Sequence, residues 1–123
     1  MRPPRDPGEA YRRVDFEARV HGASPRQLVD LCLEQVAGSL GRAIYAARTG
    51  DNAAKSAALT RAVSALTALQ MGVDGESEAG PALMQLYQSA RRTVLDSALR
   101  FDGEKMETIR RDFLEIRQAM LGQ

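Results

Sequence analysis

The composition of the chain limits both its size class and its partners. It has 123 residues, 44% of them hydrophobic, which suits one domain with a single core, and its 17 basic and 16 acidic residues leave a net charge of +1. The charge balance argues against binding to nucleic acid, the single cysteine excludes an internal disulfide, and no apolar run is long enough for a signal peptide or a membrane span. We therefore expect a protein of the reducing cytoplasm with no membrane insertion.

The residue types favour helices throughout. Aromatic residues make up 5% of the chain and tryptophan is absent, while alanine and leucine are abundant. Helix formers therefore dominate, and the β-branched and aromatic residues typical of strands are scarce. No segment predicts a strand, so we expect an all-α fold.

The first residues differ from the rest of the chain. Residues 1–8, MRPPRDPG, combine three prolines and a glycine with charges, which is typical of a mobile tail. Tyr11, Val14 and Phe16 follow on a stretch too short for a stable isolated helix, so we expect their side chains to dock on the remaining chain. We predict a tail and docking segment over residues 1–22 and a helical domain over residues 23–123.

A long helix is predicted from Ser24 to Arg48, with Ser24, Pro25 and Gln27 forming its start signal. Its apolar residues form two neighbouring rows: Leu28, Leu31, Cys32, Val36, Leu40, Ala43 and Ala47 in the first, and Val29, Leu33, Ala37 and Ile44 in the second. One row is enough for a surface helix. The second row indicates either a central helix that contacts two neighbours or a groove for a partner.

Gly38 and Gly41 interrupt this helix three residues apart, and each costs about 1 kcal/mol relative to alanine. They indicate either close packing of a neighbouring helix or a shallow trough that receives a second helix, from the N-terminal segment or from a partner.

Three further helices follow. Gly50 is a stop signal and Asp51 caps a second helix that ends near residues 71–73, and a glycine-rich acidic loop, residues 72–80, precedes a third helix with Pro81 in its first turn. Asp102 and Gly103 separate the third helix from a fourth. Four helices of about twenty residues with short connections predict an antiparallel up-and-down four-helix bundle, preceded by a short N-terminal helical or extended segment.

Few residues are candidates for chemistry. His21 is the single histidine, so one chain cannot build a site with two imidazoles, and it precedes the predicted helix rather than lying in mid-helix as a phosphotransfer histidine does. Cys32 lies within the apolar rows, which predicts an inert buried thiol. The arginine pairs at residues 12–13, 91–92 and 110–111 have acidic neighbours and indicate solvated helix faces. We predict no metal and no cofactor.

Several short motifs occur in a specific order along the chain. They are Tyr11 in the N-terminal segment, ASPRQLV at residues 23–29, Gly50 and Asp51 before the second helix, Leu69 near its end, Gly75 and Glu76 in the acidic loop, and LxxLY formed by Leu83, Leu86 and Tyr87. In this order, from Ala10 to about Met120, the chain resembles the FliS family of flagellar export chaperones. It departs from the family at Leu33, Glu34 and Gln35, where a tyrosine, an acid and a glycine are common, and at Met120, where a tryptophan is common.

The resemblance implies a bacterial cytosolic chaperone rather than an enzyme. Such a protein binds the C-terminal segment of flagellin, prevents its premature polymerisation and delivers it to the flagellar type III export apparatus. The client segment folds as helices on the chaperone surface, and the N-terminal segment covers part of that surface when the client is absent. The export gate is a further partner to consider, and exposed apolar rows are compatible with a monomer or a weak homodimer.

The resemblance also guides the choice of candidate contact residues. We predict Tyr11 and Val14 as partner-binding residues of the N-terminal flap, and client contacts at Leu33, Ile44, Tyr45, Met84, Tyr87 and Leu114. Two alternatives stay open: a phosphotransfer or signalling bundle that uses His21, and a helical adaptor for another protein partner.

Overall fold

The computed structural model describes residues 7–73 and 77–122, and for Pro7 and Val14 it describes the backbone alone. Within these ranges the regular structure is entirely helical: α1 (Pro7–His21), α2 (Pro25–Thr49), α3 (Asn52–Met71), α4 (Gly80–Leu99) and α5 (Gly103–Leu121). The all-α prediction is confirmed, and the N-terminal segment takes the helical alternative. Residues 1–6 of the predicted tail lie outside the described ranges.

The ends of α2 follow the local sequence. The Ser24 Oγ accepts a hydrogen bond from the Gln27 backbone N–H at 3.2 Å, and the Gln27 Oε1 accepts one from the Ser24 N–H at 2.8 Å. Gly50 closes the helix with a left-handed φ of 75°, which a residue with a Cβ rarely adopts. The predicted capping box and the predicted glycine stop are both confirmed.

Side-chain caps also begin α3 and α5. The Asp51 Oδ1 accepts from the Ala54 N–H at 3.0 Å, and the Asp102 Oδ1 accepts from the Lys105 N–H at 3.1 Å. Pro81 lies in the first turn of α4, as predicted. The predicted loop is non-helical at residues 72–73 and 77–79, and its residues 74–76 lie outside the described part of the chain.

Helix α2 packs against both α3 and α5, and α3 packs in turn against α4. The Arg26 guanidinium, at the start of α2, donates to the Met120 carbonyl oxygen near the end of α5 at 3.0 Å, so these two helices run in opposite directions. Helices α4 and α5 approach each other through the Tyr87 and Phe113 rings, whose centroids are 6.0 Å apart. Helix α2 thus has a neighbour on each side.

Most of both apolar rows of α2 are buried in the core. Val36, Leu40 and Ala43 of the first row and Leu33 of the second are each 0% exposed, and they form one cluster with side chains from α3, α4 and α5. The central position of α2 explains why one apolar row is not enough. Leu33 was predicted as a client contact, and its complete burial corrects that prediction, because it presents no surface to a partner.

Candidate functional site

A groove of about 1200 Å³ lies between α1 and the face formed by α2 and α3. Helix α2 contributes Leu28, Val29 and Cys32, and Leu83 and Tyr87 of α4 line the same groove. Met120 adds the end of α5. The lining is therefore mainly apolar and comes from all five helices.

The α3 wall of this groove is built from small side chains. They recur at helical spacing over almost the whole helix: Ala53, Ser56, Ala57, Thr60, Ser64, Ala65 and Ala68. Small side chains leave room for a second helix to approach the α3 backbone closely. At 1.5 Å per residue, the 20-residue α3 is about 30 Å long, so the wall has the length of a complete helix.

Helix α1 lies along this groove and is held at both ends. Near its start, the Glu9 carboxylate pairs with the Arg61 Nε, and the Glu9 carbonyl oxygen accepts from the Arg61 Nη2 at 3.0 Å. Near its end, the Arg19 Nη2 contacts the Glu34 Oε2 at 3.2 Å. Phe16 lines the groove between these two ion pairs and is half-buried.

The Glu9 end of α1 lies among basic side chains. Burial lowers the pKa of the Arg42 guanidinium, the positive charges of Arg12 and Arg61 lower it further, and the carboxylate of Glu9 opposes them. The Arg42 Nη2 donates to the Ser39 Oγ at 3.3 Å, but its buried Nε has no acceptor among the described residues. Glu9 therefore supplies negative charge to more than one arginine.

The structure places the predicted contact residues at several different sites. Tyr11, Tyr45 and Leu114 are exposed, and Ile44 and Met84 are half-buried. None of these five lines the large groove.

The other predicted contact residues lie in different surroundings. Tyr87 does line the groove, but it is 3% exposed, so it belongs to the groove floor and the core rather than to an open surface. The side chain of Val14 lies outside the described part of the structure.

Ile44 lines a second cavity of about 1030 Å³ beside the α4–α5 turn. The basic residues Arg48 and Lys105 and the acidic residues Asp96 and Glu104 also line this cavity.

Sequence reasoning missed the small-residue wall of α3 and the role of Arg61. The many alanines of α3 permit close approach of another helix, but their pattern does not identify which helix approaches. Gly41 provides the contrasting case: a Cβ there would lie 3.6 Å from the Cδ of Arg110, so α5 packs over it. That distance is an ordinary van der Waals contact, so the packing of α5 does not require a glycine at position 41, and neither Gly41 nor Gly38 lines the groove.

The candidates for chemistry remain separate in the structure. His21 is exposed and is the last residue of α1, which differs both from the predicted loop position and from the mid-helix position that phosphotransfer requires. Cys32 is buried, as predicted, and burial raises the pKa of its thiol. Among residues 7–73 and 77–122, no three histidine, cysteine or acidic residues are grouped as metal ligands.

Two of the predicted arginine pairs each contribute one arginine to a hydrogen bond with another side chain. The Arg110 guanidinium donates two hydrogen bonds to Glu107, at 2.8 and 2.5 Å, and the Arg91 Nε donates to the Thr67 Oγ1 at 3.0 Å. The hydrogen bond from Arg110 is the main cause that lowers the pKa of Glu107.

In the part of the chain that the structure describes, every helix is too short or too polar to serve as a membrane span.

Comparison with known proteins assigns the chain to a family. The family model described as flagellar protein FliS matches residues 7–120, which include α1 to α4 completely and nearly all of α5. The chain belongs to the FliS family. The flagellar secretion chaperone FliS of Salmonella typhimurium is 33% identical over 104 residues, covering 82% of this chain and 77% of that protein. The resemblance found in the sequence motifs is confirmed, and the groove with its covering α1 lies within the FliS match.

Proposed function

We propose that this protein is a bacterial cytosolic export chaperone that binds the C-terminal segment of flagellin. It prevents premature polymerisation of flagellin and delivers it to the flagellar type III export apparatus. Membership of the FliS family and the relationship to a flagellar secretion chaperone support this function. The structural observation that carries the proposal is the apolar groove of helix length between α1 and the α2–α3 face.

The groove suits a client that folds as it binds. A helix that lays its apolar face into a groove needs a long, mainly apolar trough, and the small side chains along α3 let its backbone approach closely. Coupled folding and binding typically buries about 1,000 to 3,000 Å² and loses roughly 2 to 5 kcal/mol to ordering. The chaperone therefore acts by binding, and its groove is the main source of apolar contact.

The proposal assigns different roles to two parts of the chain. Helices α2 to α5, within residues 23–123, form an antiparallel up-and-down four-helix bundle, while residues 1–22 act as a docking segment. The opposed directions of α2 and α5 support the bundle arrangement. Helix α1 is the flap: it covers the groove in the free protein and leaves when the client binds.

A client segment longer than the groove continues over the outer faces of the bundle. There it meets the other proposed contacts on the bundle, which are Ile44, Tyr45, Met84 and Leu114, whereas Tyr11 and Val14 belong to the flap. Tyr45 and Leu114 are exposed, and Leu95, Leu99 and Leu121 add further exposed apolar side chains on α4 and α5. Exposed leucines of this kind favour protein contacts, which include weak self-association and a second partner of the export apparatus.

The test is a titration of the purified protein with a peptide of the flagellin C-terminal region from the same source. Calorimetry measures the affinity and the heat-capacity change, and circular dichroism measures the gain in helix. Saturable binding with new helix and a negative heat-capacity change supports the chaperone. No binding at high micromolar peptide, together with capture of a different protein from lysate, contradicts it in favour of an adaptor.

The flap is tested by one pair of substitutions in α1. Phe16 lines the groove, whereas Tyr11 is exposed and does not. We expect Phe16→Ala to loosen α1 and to raise the affinity for the flagellin peptide about threefold or more, while Tyr11→Ala has a smaller effect. A larger effect of Tyr11→Ala would show that Tyr11 rather than Phe16 holds α1 in place, and no effect of either would contradict a flap.

A further inference from the structure

Arg61 is unusual among the residues that line the groove. The lining that α2 to α5 contribute, as far as the structure describes it, consists of apolar, small and uncharged polar residues plus this one arginine. The Arg61 side chain is only 10% exposed. Any helix that fills the groove therefore meets the positive charge of Arg61 at one position along α3.

In the free protein α1 neutralises this charge. The Glu9 carboxylate pairs with the Arg61 Nε and the Glu9 carbonyl oxygen accepts from its Nη2, so one residue of α1 satisfies two donors of the guanidinium. Arg42 lies close enough for its charge to interact with both Arg61 and Glu9, and its buried Nε has no acceptor among the described residues. Glu9 is thus the counter-charge of a small basic cluster.

Removal of α1 without replacement leaves that cluster unbalanced. A guanidinium that stays buried after losing its partner destabilises the protein strongly, because contacts in the protein interior replace little of the hydration energy that the charge has lost. A purely apolar client helix fills the volume of α1 but leaves Arg61 unpaired. A helix that carries a carboxylate at the right position fills the volume and restores the ion pair.

We propose that the flagellin segment that replaces α1 presents a carboxylate to Arg61, at the place that Glu9 occupies in the free protein. This inference rests on the proposed chaperone function and adds a specificity residue to it. Arg61 selects clients by charge, whereas the apolar lining accepts any helix of suitable width. Glu9 acts as the internal mimic of the client carboxylate.

The experiment uses the full chain carrying Glu9→Gln, so that Arg61 no longer holds α1 by an ion pair. The probe is the flagellin C-terminal peptide, in which each Asp or Glu in turn is replaced by its amide. We expect one amide peptide to bind the Glu9→Gln protein about tenfold more weakly than the unmodified peptide, as charge-assisted hydrogen bonds suggest. In the Glu9→Gln, Arg61→Gln protein that difference should fall to less than twofold.

Two controls separate pairing from general damage. Arg91→Gln removes another half-buried arginine, which contacts Thr67 outside the groove, and should leave the tenfold difference intact. Arg61→Lys keeps the positive charge but loses the planar guanidinium with its paired N–H donors, so it should retain part of the affinity difference between the two peptides. It also serves as the second variant if Arg61→Gln prevents folding, as judged by circular dichroism.

The outcomes distinguish this inference from the function on which it rests. If the unmodified peptide binds but every amide peptide binds equally well, or if the difference persists without Arg61, the carboxylate inference is wrong and the chaperone function stands. If the unmodified peptide does not bind the wild-type protein, the proposed function fails and the inference fails with it.

Discussion

Replacing Leu33 by alanine tests whether the second apolar row of α2 belongs to the core or to a client surface. Leu33 is 0% exposed and lies in the cluster that joins α2 to the other helices of the core. Leucine-to-alanine changes at buried sites cost about 2 to 5 kcal/mol, because transfer energy is lost and a cavity remains. Packing on both sides of α2 limits collapse of the cavity, so we expect a loss of about 3.5 kcal/mol.

The expected loss translates into a large shift of the melting temperature. With an unfolding entropy of about 2.1 cal/mol/K per residue over 123 residues, a loss of about 3.5 kcal/mol lowers Tm by roughly 14 °C. Leu99→Ala is the matched control, because Leu99 is 96% exposed and the same change there should stay within about 0.5 kcal/mol.

The assay is urea and thermal unfolding followed by circular dichroism, with peptide affinity measured well below both transitions. We expect Leu33→Ala to lose stability and to keep its affinity for the flagellin peptide. A loss below about 1 kcal/mol, or a protein of normal stability that no longer binds, would refute the assignment of Leu33 to the core.

Three further predictions concern single local interactions. Ser24→Ala removes the capping box of α2 and should lower the unfolding free energy by about 1 kcal/mol in urea, with Ser89→Ala unchanged as the control. Gly50→Ala places a Cβ at a φ of 75° and should lower it by about 1 to 2 kcal/mol, and an unchanged midpoint would contradict the left-handed cap. The pKa of Glu107 is lowered in the folded protein, so its stabilising contribution is present above the usual value of 4.5 and is lost as pH falls through the folded value. The stability difference between wild type and Glu107→Gln should therefore shrink on acidification, and a constant difference would exclude the carboxylate as its source.

The helix boundaries could be predicted because their signals are local. The capping box of Ser24 and Gln27, the stop at Gly50 and the caps of Asp51 and Asp102 each join atoms within a few residues of each other. Family membership could also be recognised, because short motifs in a fixed order extend over nearly the whole chain and the FliS match covers residues 7–120.

The client-contact surface was harder to predict. The helical spacing of apolar residues shows that one face of a helix is apolar, but it does not show which other segment packs on that face. The second row of α2 was compatible with a core face or with a partner groove, and burial of Leu33 shows that this residue belongs to the core. Val29 of the same row does line the groove, but the longest wall of the groove is α3, where small and polar residues carry no strong hydrophobic signal. Tyr11 and Phe16 were both expected to dock on the remaining chain, yet of these two only Phe16 lines the groove.

The amino-acid sequence by itself determined the helical class, the approximate boundaries of α2 to α5 and the family, since propensities, caps and motif order depend on near neighbours along the chain. Only the tertiary structure decided where the groove lies and which charge α1 covers. Arg61 and Glu9 are 52 residues apart, and their pairing depends on how α1 lies along α2 and α3. Such a contact follows from packing between distant helices, and no local pattern encodes it.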